Sequence, residues 1–443
     1  MKTGHSRRSL KQIVKEGDDY KERWEEQLKN ISNLNHLYRA YITVFEKPIT
    51  AKLFRRKVLR GATIGVKDIF HVEGYPTTAG SKLLSQNVSK KTARAVEKLV
   101  EHGSAINGKT NLHEFAFGVS NKNPHYGDCL NPFDTSRVAG GSSGGSAVAV
   151  CLGMCDAALG TDTAGSVRIP ASFCGLVGFK PTQELISTDG IIPLSWSLDH
   201  VGVICKDVWD AALLTSLMSD RFGKPLLIRP SEVEGVRLGV PENYFLDHLD
   251  EDVRKNFEKT LSKAESEGCE LVKVKVERAE TASRCRFIIA HSEAAAYHLK
   301  ACKGQMHLYG EEVKQRIASG LAIPASVYLN ALRARARLTA LFRKVFSSCD
   351  FLVLPTTIIP AHRLDEEQVE VDGRTFDVRT ATIRNTELFN FYGVPALSIP
   401  NGTTRNNLPT GLQIVADLSE DVKLLRFGYS LQLLELSHHS KYS

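Results

Sequence analysis

Two serines and one lysine have the residue types and surroundings that nucleophilic chemistry needs. Ser142 lies in the glycine- and serine-rich run AGGSSGGS, and Ser166 ends the small-residue run DTAGS. A serine hydroxyl is a weak nucleophile unless a base takes its proton. Lys67, which ends an apolar run, could be that base if burial kept its amine neutral. Small residues before Ser166 would let several backbone N–H groups converge, as an oxyanion hole requires.

The same residues also have structural interpretations, which the patterns by themselves favour. A lysine at the end of a strand commonly extends its amine to solvent. A serine that follows a loop, as Ser166 does, commonly caps a helix. Arg168 could hold a substrate carboxylate, but bracing of the loop is the favoured role. Thr163 and Ser143 are expected to support the site by hydrogen bonds rather than to react.

Other short motifs are weaker candidates for a functional site. The run GGSSGGS lacks the lysine of a phosphate-binding P-loop, and no G-x-G-x-x-G follows a strand. Ser143 fits the G-x-S-x-G elbow of hydrolases, but that elbow follows a strand, and the residues before Ser143 are typical of a loop. His113 and Glu114 lack the second histidine of the H-E-x-x-H zinc motif. We therefore expect neither a nucleotide site nor a metal site.

The elements that must position the serines and the lysine alternate between short strands and helices. The run at 61–70 is apolar and β-branched, which predicts a buried strand that ends near Lys67. The loop over 118–146 leads into a helix of small residues, and a short apolar strand at 157–160 precedes the loop that carries Ser166. This alternation predicts a layered α/β fold.

Further elements are predicted along the rest of the chain. Helices are expected at 10–46, 91–102, 207–217, 251–267 and 310–346, and strands at 104–108, 237–240, 351–355, 394–400 and 410–416. The more charged segment 223–310 is expected to form mainly peripheral helices. No linker is evident. We expect one large domain over residues 51–435, preceded by a helical N-terminal extension over residues 1–50.

Composition is typical of a soluble globular protein. Of the 443 residues, 42% are hydrophobic and 24% charged, and no apolar run is long enough to span a membrane. The N-terminus lacks the apolar region of a secretory signal. The net charge of +7 is concentrated in two basic runs, Lys2 to Lys15 and Lys52 to Arg60, which we interpret as solvated surface rather than as an RNA contact. Nine cysteines without disulfide-type spacing indicate a reducing cytosol.

Several segments together resemble the amidase signature family. GVKDIF (65–70) is similar to its lysine strand, and GKTNLHEFAFG (108–118) is similar to a pocket segment. AGGSSGGSAVAV and ALGTDTAGSVRIPASFCGLVGFKPT (158–182) are similar to the signature itself, and SLDHVGVICKDVWDAALL and LPTGLQIVA are similar to later elements. The resemblance covers residues 60–430. It implies a single α/β domain with a central mixed, twisted sheet that helices cover on both faces.

The resemblance also implies roles for the matching positions. Ser166 would be the nucleophile, Lys67 the base, and Ser142 the serine that bridges them after a cis peptide bond from Gly141. The oxyanion hole would be lined by the backbone N–H groups of Thr163, Ala164, Gly165 and Ser166. The residues that would support the site are Ser143, Asp162 and Arg168. No metal and no other cofactor would be required.

These roles imply an amidase that hydrolyses a small carboxamide to a carboxylate and ammonia or an amine through an acyl-enzyme. The alternative is the A subunit of a glutamyl-tRNA(Gln) or aspartyl-tRNA(Asn) amidotransferase, which releases ammonia from glutamine and would bring partner subunits and tRNA. Two departures from those subunits favour the stand-alone enzyme. Ile169 replaces a glutamine, and residues 383–386 lack the acidic residue expected for the ammonium of glutamine.

Two further expectations concern the active state of the protein. Position 164 is Ala where most members of the family have Gly, which keeps the backbone N–H and so should keep the chemistry. A catalytically silent member that acts only as a scaffold is a third hypothesis, against which the intact Lys67, Ser142 and Ser166 argue.

We expect a cytoplasmic protein, with a homodimer as one arrangement and with no membrane contact.

Overall fold

The computed structural model describes residues 9–16, 20–302 and 304–439. Of the N-terminal basic run, Lys2, Arg7 and Arg8 lie outside these ranges. The strands are β1 (Tyr41–Thr50), β2 (Thr63–Lys67), β3 (Ala105–Thr110), β4 (Ala157–Asp162), β5 (Val177–Lys180), β6 (His200–Cys205), β7 (Arg237–Pro241), β8 (Glu270–Val274), β9 (Phe351–Pro355), β10 (Gln368–Val371), β11 (Arg374–Asp377), β12 (Ala396–Thr403) and β13 (Pro409–Val415). The α-helices are α1 (Leu10–Glu16), α2 (Tyr20–Tyr38), α3 (Arg94–Glu101), α4 (Gly144–Cys151), α5 (Arg168–Phe173), α6 (Val208–Met218), α7 (Glu251–Ser266), α8 (Ala279–Ala301), α9 (Glu311–Leu321), α10 (Ala325–Arg343), α11 (Val378–Ile383), α12 (Glu387–Phe391) and α13 (Asp421–His439).

Eleven of these strands form one mixed sheet in the order β1-β3-β2-β4-β6-β5-β12-β13-β9-β7-β8. β2 is parallel to β3 and β4, and β7 is parallel to β8 and β9, while the other neighbours are antiparallel. Every residue of β2, β3, β4 and β6 is buried, because the rest of the chain covers both faces of the sheet. The predicted α/β domain with a central mixed sheet is confirmed.

The predicted N-terminal helical extension needs a correction. Its helices end at Tyr38, and Tyr41–Thr50 forms β1, which pairs with β3 at one edge of the sheet. The last ten residues of the predicted extension over 1–50 are therefore a strand. Lys47 and Pro48 fit the observed strand, since lysine and proline are typical of edge strands.

The charged segment 223–310 contributes strands as well as helices. β7 contains the predicted strand at 237–240, whereas β8 is not apparent from the sequence. Only Val274 of the five residues of β8 is buried, because β8 forms the other edge of the sheet. An exposed edge strand has the composition of a surface segment, so the apolar signal of a strand is weak there.

Helix α4 lies unusually close to its neighbours, as its small residues predict. A Cβ atom added at Gly145 would lie 2.5 Å from the backbone oxygen of Ala40 and 2.5 Å from the backbone nitrogen of Asn111. No side chain fits at that distance, so the glycine is required for this packing. The contact fixes the start of α4, and with it the loop that carries Ser142 and Ser143.

The described residues contain no membrane-spanning helix, no metal-binding group and no disulfide. None of their helices combines the length and apolar character that crossing a bilayer requires. They contain no group of three or more His, Cys, Asp or Glu residues arranged to hold a metal ion. None of the nine cysteines, all of which lie within the described ranges, forms a disulfide, and eight of them are buried.

Candidate active site

Lys67 is the last residue of β2, and its side chain is fully buried. Its Nζ lies 2.8 Å from Ser142 Oγ and 2.9 Å from Thr161 Oγ1, and it donates to both hydroxyls. Burial lowers the pKa of Lys67 to about 7, although the charges of Asp199 and Asp162 act in the opposite direction. A large fraction of this amine is therefore neutral near pH 7, as a general base requires.

Ser142 lies in the loop that leads into α4, and it is fully buried. The peptide bond between Gly141 and Ser142 is cis, as the resemblance implied. The carbonyl of Ser142 accepts a hydrogen bond from the N–H of His113 at 3.1 Å. A Cβ at Gly141 would lie 2.7 Å from the backbone nitrogen of Asn121, so neighbouring backbone fixes the loop on this side.

Ser166 follows a turn that leaves the end of β4. The Asp162 carboxylate accepts hydrogen bonds from the N–H groups of Gly165 at 2.8 Å and of Val167 at 3.1 Å. Gly165 has a φ of +122°, and a Cβ there would lie 2.2 Å from Thr386 Oγ1, so the turn needs glycine. The carbonyl of Ser166 accepts from the N–H of Ser143 at 3.2 Å, which joins the two serine loops.

The predicted oxyanion hole needs a correction at Gly165. Its N–H already donates to Asp162 and is not free for a ligand. Among the described residues, no acceptor is paired with the N–H groups of Thr163, Ala164 and Ser166. These three remain the candidates to stabilise an oxyanion, and Gly165 instead supplies the backbone conformation of the turn.

Arg168 and Asp162 form a fully buried ion pair beneath this turn, with Arg168 Nη2 2.8 Å from Asp162 Oδ1. Burial would raise the pKa of Asp162, but the Arg168 guanidinium holds that pKa well below its usual range. Arg168 also donates to the Thr386 carbonyl at 3.0 Å, to Gln413 Oε1 at 2.6 Å and to Asn390 Oδ1 at 2.7 Å. Its donors are thus directed at protein acceptors, which is the arrangement of a brace.

Asp199 is a second buried carboxylate near the turn. It accepts from the hydroxyl of Thr163, from the N–H of Leu194 at 2.9 Å and from the N–H of Ser195 at 3.1 Å. Burial raises the pKa of Asp199 to about 6, against the effect of these hydrogen bonds. Asp199 therefore fixes the Thr163 side chain and connects the turn to the segment at 194–195.

A narrow cavity lies beside Ser166, and we call it the inner cavity. Its apolar walls are Ala116, Phe117, Val119, Leu194, Ala290 and Ile383. Its polar side chains are Thr163, Ser166, Arg286 and Arg379. The segment 108–118, which the resemblance marks as a pocket segment, therefore contributes Ala116 and Phe117 to the wall. Ser166, the nucleophile candidate, is thus one of the residues that line this cavity.

Sequence reasoning missed Thr161, Arg286 and Arg379. The available signal for Thr161 is its position directly after the predicted strand at 157–160. Because β4 is parallel to β2 with Val66 opposite Leu159, that position lies beside Lys67. The arginines lie on α8 and α11, more than a hundred residues after Ser166, and they carry no local motif.

The chain is similar to known proteins over most of its length. A family model described as Amidase matches residues 24–425. The A subunit of the glutamyl-tRNA(Gln) amidotransferase of Koribacter versatilis is 34% identical over 417 residues, which cover 84% of each chain. A crystal structure of an amidase is 34% identical with a TM-score of 0.87, covering 96% of this chain and 99% of its own. The corresponding A subunit of Thermotoga maritima is 31% identical with a TM-score of 0.81, covering 96% and 94%.

The buried ion pair predicts a large stability effect at Arg168. Arg168→Met should lower the free energy of unfolding by about 3–5 kcal/mol, because the ionised Asp162 stays buried without its cation. Urea unfolding followed by circular dichroism measures this loss. Arg405→Met removes an exposed arginine from its pairs with Glu251 and Asp252 and should change the unfolding free energy by only a small fraction of that loss. Equal, small losses in both variants would contradict the bracing role.

Proposed function

Because the chain belongs to the amidase signature family, it is a hydrolase of amide C–N bonds, and we propose that Lys67, Ser142 and Ser166 perform the reaction. The observation that carries this proposal is the buried Lys67 amine, whose Nζ lies 2.8 Å from Ser142 Oγ. An amine that lies within hydrogen-bond distance of a hydroxyl and has a pKa near 7 can take the proton of that hydroxyl at neutral pH.

In the first half of the reaction, neutral Lys67 takes the proton of Ser142, which in turn takes the proton of Ser166. The Ser166 oxygen attacks the amide carbonyl and forms a tetrahedral intermediate. The N–H groups of Thr163, Ala164 and Ser166 stabilise the developing oxyanion. Each donor lowers the activation free energy by about 3 kcal/mol. The C–N bond then breaks, and the relay returns the proton to the departing nitrogen, which leaves as ammonia or an amine.

In the second half, water attacks the acyl-enzyme ester. The relay accepts a proton from that water, the bond between the carbonyl carbon and the Ser166 oxygen breaks, and Ser166 regains its proton. The products are a carboxylate, with its proton released to solvent, and the free enzyme. No step needs a cofactor, since backbone dipoles and side chains supply the proton transfers and the charge stabilisation.

The supporting residues act on the shape of the site. Asp162 and Arg168 hold the turn before Ser166, and Ser143 contributes its N–H to the Ser166 carbonyl and its hydroxyl to the Thr161 carbonyl at 3.2 Å. These contacts leave the reacting oxygen of Ser166 free of the brace. We assign these residues positioning roles.

The first candidate for the physiological role is a stand-alone amidase. It is favoured by the inner cavity, in which Ile383 stands where an acidic residue was expected for the ammonium of glutamine. No carboxylate side chain lines that cavity among the described residues. We place this enzyme in a reducing cytosol, because its nine cysteines, all within the described ranges, form no disulfide.

The second candidate is the A subunit of a tRNA-dependent amidotransferase. The relatives favour it, because the first matches among curated proteins carry that name at 34–35% identity over 84–91% of this chain. On this account the chain would release ammonia from glutamine and would need partner subunits and tRNA. Sequence similarity to the relatives therefore supports the second candidate more strongly, while the lining of the inner cavity supports the first.

The catalytic assignment predicts the effect of one substitution. Ser166→Ala should lower amide hydrolysis at least about 1,000-fold, because no acyl-enzyme can form. A fluorophosphonate probe should add once to the wild-type protein and not to the variant, as measured by intact-protein mass spectrometry. Ser266→Ala, on the exposed face of α7, is the matched control and should keep both activity and labelling. Full activity in Ser166→Ala would overturn the assignment.

The pKa of Lys67 predicts how activity depends on pH. Since this pKa is about 7, the amine is protonated below pH 7 and neutral above it, so kcat/KM should rise with pH and reach half its maximum near pH 7. Measurement from pH 5.5 to 9 with a neutral amide, with folding checked by circular dichroism, gives this profile. A half-maximum near pH 10, where an ordinary lysine titrates, would contradict a buried neutral base.

Glutamine separates the two candidate roles. A stand-alone amidase should release ammonia from simple carboxamides at a rate that partner subunits do not change. An amidotransferase subunit should prefer glutamine, and candidate partner subunits with tRNA should raise its glutaminase rate. Ammonia release is measured with a coupled dehydrogenase assay, with Ser166→Ala as the blank. Stimulation of glutamine hydrolysis by partners would reject the stand-alone role.

A further inference from the structure

The basic run from Lys52 to Arg60 forms a turn before β2, and we call it the basic turn. It contains no acidic residue, and all of its cations are exposed. These cations are Lys52, Arg55, Arg56, Lys57 and Arg60. In the described part of the chain, none of them is paired with a carboxylate. Unpaired cations this close together create a positive surface that attracts polyanions.

Leu53 lies among these cations at the start of the turn. It is 68% exposed, the largest exposed fraction of any large apolar side chain among the described residues. Its φ is +57°, in the left-handed region where a bulky residue other than glycine is an outlier. Leu53 therefore serves neither the core nor the backbone conformation. Backbone outliers of this kind are commonest at functional sites.

The rest of the basic turn is fixed to the fold. Phe54 stacks on Trp24 with ring centroids 5.6 Å apart, and it contacts Tyr20 edge-on at 5.1 Å. The N–H of Lys57 donates to the Phe54 carbonyl at 3.0 Å. A Cβ added at Gly103 would lie 2.5 Å from Lys57 Cβ and 2.8 Å from the Phe54 carbonyl oxygen, so the turn packs directly on the chain that follows α3. Its tip and its cations are thus presented in one arrangement.

Two kinds of polyanion fit a basic surface, namely single-stranded nucleic acid and a membrane with anionic lipids. Single-stranded nucleic acid stacks its bases on free aromatic faces. Here Phe54 and Trp24 stack on each other, and the Arg55 guanidinium covers the Tyr20 ring at 4.2 Å from its centroid. The side chain at the tip is aliphatic, which suits insertion at the boundary of headgroups and acyl chains. The basic turn therefore favours the membrane.

We propose that the basic turn binds the surface of a membrane that contains anionic lipids, with Leu53 inserted between the headgroups and the cations on the lipid charges. The composition of the run by itself favours solvated surface, and the exposed leucine is what the fold adds. The turn precedes Thr63, the first residue of β2, whereas Lys67 is the last. The inference is independent of the proposed function, because it uses no residue of the active site.

Cosedimentation with vesicles tests the proposal on the full chain. Vesicles of phosphatidylcholine with about 30% phosphatidylserine should bind the wild type at least about 10-fold more strongly than vesicles of phosphatidylcholine alone, because each cation near an anionic surface contributes about fivefold to partitioning. Raising the salt concentration from about 0.1 M to about 0.5 M should remove most of this binding, because salt screens the attraction between exposed cations and the lipid charges.

Two variants separate the charge of the turn from its apolar tip. Lys52→Gln combined with Arg56→Gln should lower the partition coefficient about 25-fold, and Leu53→Ser should lower it about threefold or more. Lys255→Gln combined with Lys259→Gln is the matched control. It removes two exposed cations from α7, which packs against β9 and β12 in the other half of the sheet, and it should keep the binding. Hydrolysis of a water-soluble amide should be equal in all of these proteins.

The inference is overturned if the wild type does not bind the anionic vesicles or binds both kinds equally. Equal losses in the control and in the Lys52 and Arg56 variant would also overturn it, because they would show an effect of net charge alone. So would unchanged binding by Leu53→Ser together with tight binding of single-stranded RNA that the Lys52 and Arg56 variant loses, measured by fluorescence anisotropy. The comparison of the two vesicles uses the wild type, so it decides the proposal even where a variant fails to fold.

Discussion

Two buried lysines on adjacent parallel strands illustrate the constraint on which the site depends. Lys109 of β3 lies 2.6 Å from Asp68 and forms a buried ion pair. Lys67 of β2 is equally buried, but its partners are the hydroxyls of Ser142 and Thr161. Since Asp68 also accepts from Thr78, its carboxylate is used on the side of Lys109. The adjacent acid thus neutralises one lysine and leaves the other without a carboxylate partner, which is the condition for a neutral amine.

Two carboxylates, those of Asp162 and Asp199, lie near the Lys67 amine without contacting it. Asp162 is ionised, but Arg168 and backbone N–H groups take up its oxygens. Asp199 is occupied by Thr163 and by two backbone N–H groups. Both carboxylates still act on Lys67 through their charge, which limits how far its pKa falls. Burial outweighs them because transfer of an ammonium from water is costly.

The catalytic residues can be predicted well from the sequence, whereas the residues that line the substrate cavity cannot. Ser142, Ser166 and Lys67 lie in dense local motifs, and the buried strand β2 has a plain apolar signal. The edge strands β1 and β8 have little such signal, because half-exposed strands accept polar residues. Arg286 and Arg379 line the inner cavity only through the packing of α8 and α11. This placement depends on contacts between distant parts of the chain, and no local pattern encodes it.

The parallel register of β2 and β4 also limits where this chain can change length. Because side chains alternate between the faces of a strand, adding one residue within β2 would turn the Lys67 amine to the opposite face of the sheet. The turn at Gly74 has no such restriction, since a Cβ added there meets nothing within 4 Å. Functional homologues should therefore differ in length at surface turns such as this one, and engineered insertions should be tolerated there. The lengths of the strands that position the amine should stay fixed.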